Sequence, residues 1–354
     1  MVKNNNKQLF VKLPTISVII PTFNSRATIE RCLASIRKQN YPQNKIEIII
    51  VDGGSTDSTL ELIKKFRVKL LQVNPKKQNV ELNKLTGIKK AKGELLLMID
   101  HDNILPHKGI IKKMVKPFLG HKGIVGVETT HYHYDRRMTL LDRYFALFGV
   151  ADPLAYYLGK ADRMSYLIKG YDKRYSPIDY GDYFLVEFNK DKIPTIGANG
   201  FLIKRKLLLE NASVSDDKYF PIDVNVDLIR KGFNKYAFVK DSITHISGHG
   251  NVGHYLKRRM LFVRQYYLGK NNNSYNKKRR YSLYESKDFW KLIIFIAISV
   301  TFVIPLIDSL RGYRKIADFA WFLHPVMCFG FVVMYGYVII EHKIRVSMNK
   351  LSST

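Results

Sequence analysis

The chain has 354 residues, 46% of them hydrophobic, enough for one large or two ordinary domains with a packed core. Its 58 Lys and Arg against 30 Asp and Glu leave a formal charge of +28, which calls for an anionic partner: nucleic acid, phospholipid headgroups or phosphorylated substrates. Cys32 and Cys328 lie too far apart in the sequence to argue for a disulfide framework, and the polar opening MVKNNNKQLFVKLP does not read as a signal peptide.

Residues 1–14 read as a polar tail, and from 15 to 130 strand and helix signals alternate. Residues 16–20 form a short apolar strand ended by Pro21, and 27–39 place Ile29, Cys32, Leu33 and Ile36 on one helical face. Residues 46–51 are a second strand and 56–66 a helix with Ser55 or Thr56 as N-cap. A strand over 69–73, a helix over 80–90, a strand over 95–99, a helix over 109–118 and a strand over 123–128 follow. This alternation predicts an α/β fold with a mostly parallel sheet, whose ligands sit beyond the carboxyl ends of the strands.

Three of those strand ends carry polar groups. The fourth strand runs into Asp100-His101-Asp102-Asn103. Alternate residues of an extended chain point the same way, so Asp100 and Asp102 can converge on one point and seat Mg²⁺ or Mn²⁺ together with a substrate phosphate. A strand entering an Asp/Asn-rich turn explains the same residues more plainly. Pro21-Thr22-Phe23-Asn24 follows the first strand, and Asp52-Gly53-Gly54-Ser55-Thr56-Asp57 follows the second. Two glycines after a carboxylate permit a tight turn and close ligand approach, and Asp52 could accept from a base N–H or a ribose hydroxyl; an ordinary Asp-Gly turn is the alternative. Neither a dinucleotide glycine fingerprint nor a P-loop is present.

Residues 131–253 read as a second half. The stretch 129–190 has no clean period, and its aromatic segment 142–158 fits a membrane surface, an acceptor groove or an ordinary packed subdomain. Gly197-Ala-Asn-Gly200 opens an apolar strand at 201–203, and His131 and His133 read as surface residues. Residues 254–291 form a basic connector with eleven Lys and Arg, in which 271–280 is expected to be mobile. Residues 292–307 and 319–340 contain no Asp, Glu, Lys or Arg. They predict a transmembrane hairpin of two helices over 292–341, the first slightly short and capable of tilt or a re-entrant path. The excess of Lys and Arg on either side of the hairpin places both termini, and with them residues 15–253, in the cytoplasm, with 342–354 as a tail.

The runs Ser17-Val-Ile-Ile-Pro-Thr-Phe-Asn24, Val51-Asp-Gly-Gly-Ser-Thr-Asp57 and Ala91-Lys-Gly-Glu94 through Asp100-His-Asp102 strongly resemble the family 2 glycosyltransferases. The resemblance covers 15–130 best, with weaker echoes to about 265. It implies a GT-A fold and an inverting enzyme using a nucleotide-diphospho-sugar, with Mn²⁺ or Mg²⁺ as cofactor. It assigns Pro21, Thr22, Phe23, Asn24 and Asp52 to the nucleoside end of the donor. Asp102 then binds the metal bridging the diphosphate, while Asp100 contacts ribose or metal-bound water and His101 stands between them. Two departures stand out: Asp52 is followed by Gly53 where many members have a second acid, and Lys84-Leu85-Thr86-Gly87 replaces the usual Arg-Asn before a glycine.

An inverting transfer also needs a base for the acceptor's proton. The family's Glu-Asp signature is echoed by Phe220-Pro-Ile-Asp223-Val-Asn-Val-Asp227, which points to Asp223, with Asp227 as the alternative. Helix capping by Asp223 and a surface charge at Asp227 would explain them without catalysis. His245 is a candidate third metal ligand or a structural histidine. Gly200 belongs to a segment that resembles the one beside the donor sugar. Arg258, within Lys257-Arg258-Arg259, faces either the diphosphate or anionic lipid. The reading is a membrane-anchored transferase acting on a lipid-linked, glycan or polyprenyl-phosphate acceptor, with anionic lipids as partners. Its rivals are a non-catalytic membrane-surface scaffold and a tethered nucleic-acid binder, the latter disfavoured because the densest basic tract adjoins the apolar stretches.

Overall fold

The computed structural model describes residues 12–351 except 78, 191, 192, 194, 198, 213–218, 249 and 267–287. Most of the N-terminal tail and the tract 271–280 therefore lie outside the described residues.

Ten strands build the sheet: β1 (Ile16–Thr22), β2 (Ile46–Asp52), β3 (Lys69–Gln72), β4 (Leu95–Met98), β5 (Asn103–Ile104), β6 (Gly126–Tyr132), β7 (Ile178–Asp179), β8 (Tyr183–Glu187), β9 (Phe201–Lys204) and β10 (Lys235–His245). Their order is β3-β2-β1-β4-β9-β6-β10-β8-β7, with β5 paired to β10 from the side. β1 is buried at every position because helices cover both faces of the sheet, which is why it reads as an unbroken apolar run. On one face pack α1 (Ile29–Arg37), α2 (Thr59–Lys64) and α4 (Ile110–Gly120), through Leu33, Ile63 and Met114 against Val18 and Ile20. On the other face α3 (Val80–Lys90) and α8 (Pro221–Arg230) set Leu85, Ile88, Val224 and Leu228 against Ile19, Val51 and Met98.

The α/β class is as expected, but the sheet is mixed rather than mostly parallel. β1 pairs in parallel with β2 and β4, and β6 with β10, whereas β9 inserts antiparallel between β4 and β6. The β7–β8 hairpin extends the far edge antiparallel to β10. The insertion of β9 between two parallel strands leaves β4, β6 and β10 all pointing one way. Their carboxyl ends, with those of β1 and β2, form a single edge. Between the strands, α5 (Leu140–Phe148), α6 (Pro153–Tyr157) and α7 (Arg205–Asn211) complete the second half.

The C-terminal layer comprises α9 (Val252–Tyr266), α10 (Phe289–Thr301), α11 (Val303–Lys315) and α12 (Leu323–Leu351). It differs from the expected two-helix transmembrane hairpin. One helix, Phe319–Met348, is long and apolar enough to cross a membrane; the earlier apolar stretch is two helices bent by 77°. The break falls at Phe302, whose φ of 62° lies in the left-handed region that β-carbon crowding disfavours, and Pro305 brings no N–H to the next turn. Trp321, in the turn just before α12, and Met327 and Phe331 on α12 pack against Leu141, Tyr144 and Phe148, so the aromatic segment is a packed layer between sheet and C-terminal helices.

Candidate functional site at the carboxyl edge

The turn after β2 is built around Asp52, which is fully buried. Its carboxylate accepts from Gly54 N at 2.9 Å, Ser55 N at 2.8 Å, Ser55 Oγ at 2.5 Å and Thr22 Oγ1 at 3.1 Å. Four donors satisfy about all the lone pairs a carboxylate offers. Asp52 therefore shapes the loop rather than presenting a free acceptor, and the loop's own exposed groups are what a ligand would meet. Gly54 allows this at φ +93°, where a side chain would also strike Pro75. Asn24, itself at φ 48°, ties the first strand's end to this loop by accepting from Thr56 N at 2.9 Å. Pro21 lies inside β1, and Phe23 projects beyond it as an exposed aromatic ring.

Asp100 and Asp102 follow β4 on the same edge but face different partners. Lys84 reaches up from the buried side of α3 and its Nζ lies 3.0 Å from Asp100 Oδ1 and 3.7 Å from Glu81 Oε2. Burial disfavours the lysine's charge; Asp100 and Glu81 outweigh that and hold it protonated. Asp102 faces His245 instead, with Oδ2 and Nε2 3.6 Å apart. Pairing explains the encounter: β5 folds back on β10 so that Asn103 sits opposite His245, and Ile246 N donates to Asp102 O at 3.0 Å. Burial pushes the His245 pKa down, but Asp102, then Asp100 and Asp142, more than reverse this and raise it to about 9. Burial likewise raises Asp102, and His245 overrides it, keeping the carboxyl below its usual range. His101 turns away, its Nδ1 2.8 Å from Thr28 Oγ1. Among the described residues no three His, Cys, Asp or Glu side chains converge as a ready metal cluster.

Asp223 and Asp227 lie one turn apart on α8, so they share a face, and both are buried. Tyr219, just before this helix, donates its hydroxyl to Met98 Sδ at 2.8 Å, which brings the helix start to the end of β4. Gly200, at φ +62°, is pressed on Ile243 immediately before β9. Arg258 is exposed on α9, and no hydrogen bond or ion pair among the described residues joins it to Asp100 or Asp102. His131 is half-buried against Tyr166 rather than free on the surface, and burial lowers its pKa to about 4.

A buried ion pair absent from the sequence reading supports the loop before β9. Arg163 Nη1 lies 3.0 Å from Glu128 Oε2, and both side chains are essentially inaccessible. Glu128 Oε1 accepts from Gly197 N at 3.0 Å, while Arg163 Nη2 donates to the Asn199 carbonyl. Arg163 also sits over the Tyr132 ring, which lies 5.7 Å from that of His245. Burial raises the Glu128 pKa to about 7 against the pull of Arg163. No local pattern marks Arg163, because its partners come from strands more than thirty residues away. Beside this pair a cavity of about 560 Å³ runs from Thr129 and Arg163 past Tyr171 to Tyr157 and Asp308.

Residues 17–188 match the family model described as glycosyl transferase family 2. An N-acetylglucosaminyltransferase of Bradyrhizobium elkanii is 33% identical over 130 residues, which span 33% of this chain and 69% of that one. The chain belongs to glycosyl transferase family 2. Another relative is the dolichyl N-acetyl-alpha-D-glucosaminyl phosphate 3-beta-D-2,3-diacetamido-2,3-dideoxy-beta-D-glucuronosyltransferase of Methanococcus voltae. It is 34% identical over 110 residues, 29% of this chain and 33% of that one, so the match spans about a third of that relative's length. Among solved structures, the mannosyltransferase PcManGT of Pyrobaculum calidifontis, in complex with GDP-Man and Mn²⁺, superposes with a TM-score of 0.49. It is 16% identical over 93% of this chain and 88% of its own. The family 2 match accounts for the strand ends of β1, β2 and β4, and it extends through α5 and α6 to β8.

Proposed function

We propose that the protein is an inverting glycosyltransferase that moves a sugar from a nucleotide-diphospho-sugar to a lipid-linked or otherwise membrane-proximal acceptor. The observation that carries this reading is the facing of Asp102 and His245 at an edge where three parallel strands end. A carboxylate and an imidazole, with the rest of the shell left to water and phosphate oxygens, suit Mn²⁺; the carboxylates alone suit Mg²⁺. Asp102 and His245 would hold that cation, which supplies charge neutralisation at the diphosphate as the bond to the sugar breaks.

The chain's own groups do the rest. The rim formed by Thr22, Phe23, Asn24 and the Gly53–Ser55 turn receives the nucleoside, with Phe23 free to stack on a base. Lys84 keeps Asp100 paired, which limits the negative charge that an incoming diphosphate meets. The ion pair of Glu128 and Arg163 holds Gly197 and Asn199, beside which the sugar would lie. Asp223, at the positive end of α8, takes the proton of the acceptor hydroxyl; Asp227 is the alternative base.

The acceptor reading is supported by the apolar C-terminal layer, by the cavity that reaches from Arg163 to Asp308 on α11, and by the Methanococcus voltae relative, whose name gives it a dolichyl phosphate substrate. Full-length protein incubated with radiolabelled nucleotide sugars and membrane extract, with and without added polyprenyl phosphate, tests it. Label that enters the organic-soluble fraction supports a lipid-linked acceptor. Label confined to free sugar, under every donor and lipid, contradicts it.

A further inference from the structure

The apolar C-terminal layer starts and finishes its excursions on the same side of the molecule. Asp288, just before α10, pairs with Lys160 of the catalytic half at 2.8 Å. Asp318, after α11, pairs with Arg143 of α5 at 3.0 Å and accepts from Tyr134 at 2.7 Å. Arg136 donates to the Ala317 carbonyl at 3.3 Å, and Lys315 to that of Leu167. A transmembrane hairpin would carry this connecting segment across the bilayer, roughly 30 Å from the sheet side. Instead it is bound to residues that directly follow β6 and line α5.

Each arm of the bent pair has 13 residues, about 20 Å of helix, too short to span. α12 is the one helix with the length, and one face of its apolar window lies against the protein while the other is open. Met327, Phe331, Met334 and Val338 are buried along that inner face. Beyond them Glu341 pairs with Arg264 at 2.8 Å, and Leu256 touches Gly330, so α9 runs beside α12 over this length. Lys257 and Arg258 are exposed on α9 at that level. A cation at the centre of a bilayer loses its hydration at high cost, which opposes a path that would carry both through hydrocarbon.

Still, the outer face of this layer is apolar. Trp290 is 73% exposed, and Ile294, Val303, Leu306, Val333 and Ile340 are exposed on the three helices. Exposed Lys291, Arg311, Arg314 and Lys315 lie close in sequence to these positions. Apolar side chains with cations beside them fit the headgroup boundary of an anionic leaflet.

We propose that residues 288–351 do not cross the membrane but embed one face in a single leaflet of anionic phospholipid, leaving the segment 308–318 and the end of α12 on the catalytic side. This rests on the reading that the protein works at a membrane, and not on its chemistry. It would place the Tyr157–Asp308 end of the cavity at the leaflet surface.

Single-cysteine handles test it in sealed inverted membrane vesicles of cells expressing the full chain, labelled with an impermeant maleimide. Lys206→Cys, on exposed α7, marks the catalytic side; Arg314→Cys and Ser347→Cys report the connecting segment and the end of α12. The native Cys32 and Cys328 are buried and give the background. Equal labelling of all three handles before permeabilisation is the expected result. Arg314→Cys reactive only after detergent would mean two crossings, and Ser347→Cys alone silent would mean one; either overturns the proposal. Protein recovered in the soluble fraction, with vesicles spun down, would overturn it together with the membrane reading, while leaving transferase activity to be judged on its own assay.

Discussion

Glu128 and Arg163 form a buried pair in which the two partners hold the loop before β9 from opposite ends. Glu128 ionises near pH 4.5 when exposed and near 7 in the folded chain, because burial penalises its charge. Between those values the unfolded chain has released the proton while the folded chain keeps it. Stability therefore falls as pH rises through this window and levels off above it. Thermal unfolding of detergent-solubilised protein at pH 5 and 7 should show that loss, and Glu128→Gln should reduce it. Arg163→Met leaves a carboxyl buried without its cation and should cost about 3–5 kcal/mol. At the proposed base, Asp223→Asn should lower kcat by about 10²–10⁴-fold with little change in donor KM, and Asp227→Asn by less than about tenfold. The reverse ranking in steady-state kinetics would exchange their roles. Asp52, Asp100 and Asp102 were legible in the sequence because they stand at the ends of apolar strands. Lys84 and Arg163 were not: each is a lone cation whose partner is set by tertiary contact. Asp52 was legible as a site residue, yet three of its four donors come from its own turn and the fourth from Thr22 at the end of β1, a detail that residue spacing does not carry.

At the scale of elements, local pattern and structure agree where helices and strands alternate with short connections. The helix over 80–90 and the strand starting at 95 have the expected bounds, since an apolar face of period 3.6 or an unbroken apolar run has one good solution there. Past β6 the strand expected at 201–203 is β9, but β8 and β10 escape the local pattern because they are defined by pairing with each other and, for β10, with distant β6. The apolar stretch at 292–307 shows a different limit: hydropathy counts charges along a window and is blind to the 77° bend at Phe302 and to the pairing of Asp318 with Arg143. Close packing in that region is itself testable. A β-carbon on Gly312 of α11 would come within 2.2 Å of the Trp321 ring. Gly312→Ala should therefore destabilise the C-terminal layer by about 1–3 kcal/mol, seen as a lower unfolding temperature, with donor hydrolysis per folded molecule unchanged.

For the molecule as a whole, the charge of +28 and the apolar outer face act together. Binding to vesicles of mixed zwitterionic and anionic phospholipid should weaken as salt rises from 0.05 to 0.5 M on the order of tenfold or more, and an apolar residue should persist at high salt. Trp290 is exposed while Trp321 is fully buried, so brominated phospholipids should quench the emission of the wild type and not of Trp290→Phe. The apolar outer face and the carboxyl edge of the sheet are linked through α5: its Asp142 accepts from Ser247 N at 2.9 Å, two residues after His245. The central claim is that this edge turns over a nucleotide sugar through Asp102. The most direct measurement is release of nucleoside diphosphate from UDP-, GDP- and dTDP-sugars by purified protein with Mn²⁺ or Mg²⁺, beside Asp102→Asn. The account predicts metal-dependent release from one donor, lost by at least about 10²-fold in the variant. Release that is equal in the variant, or absent from every donor with no thermal shift by any nucleotide, would contradict it.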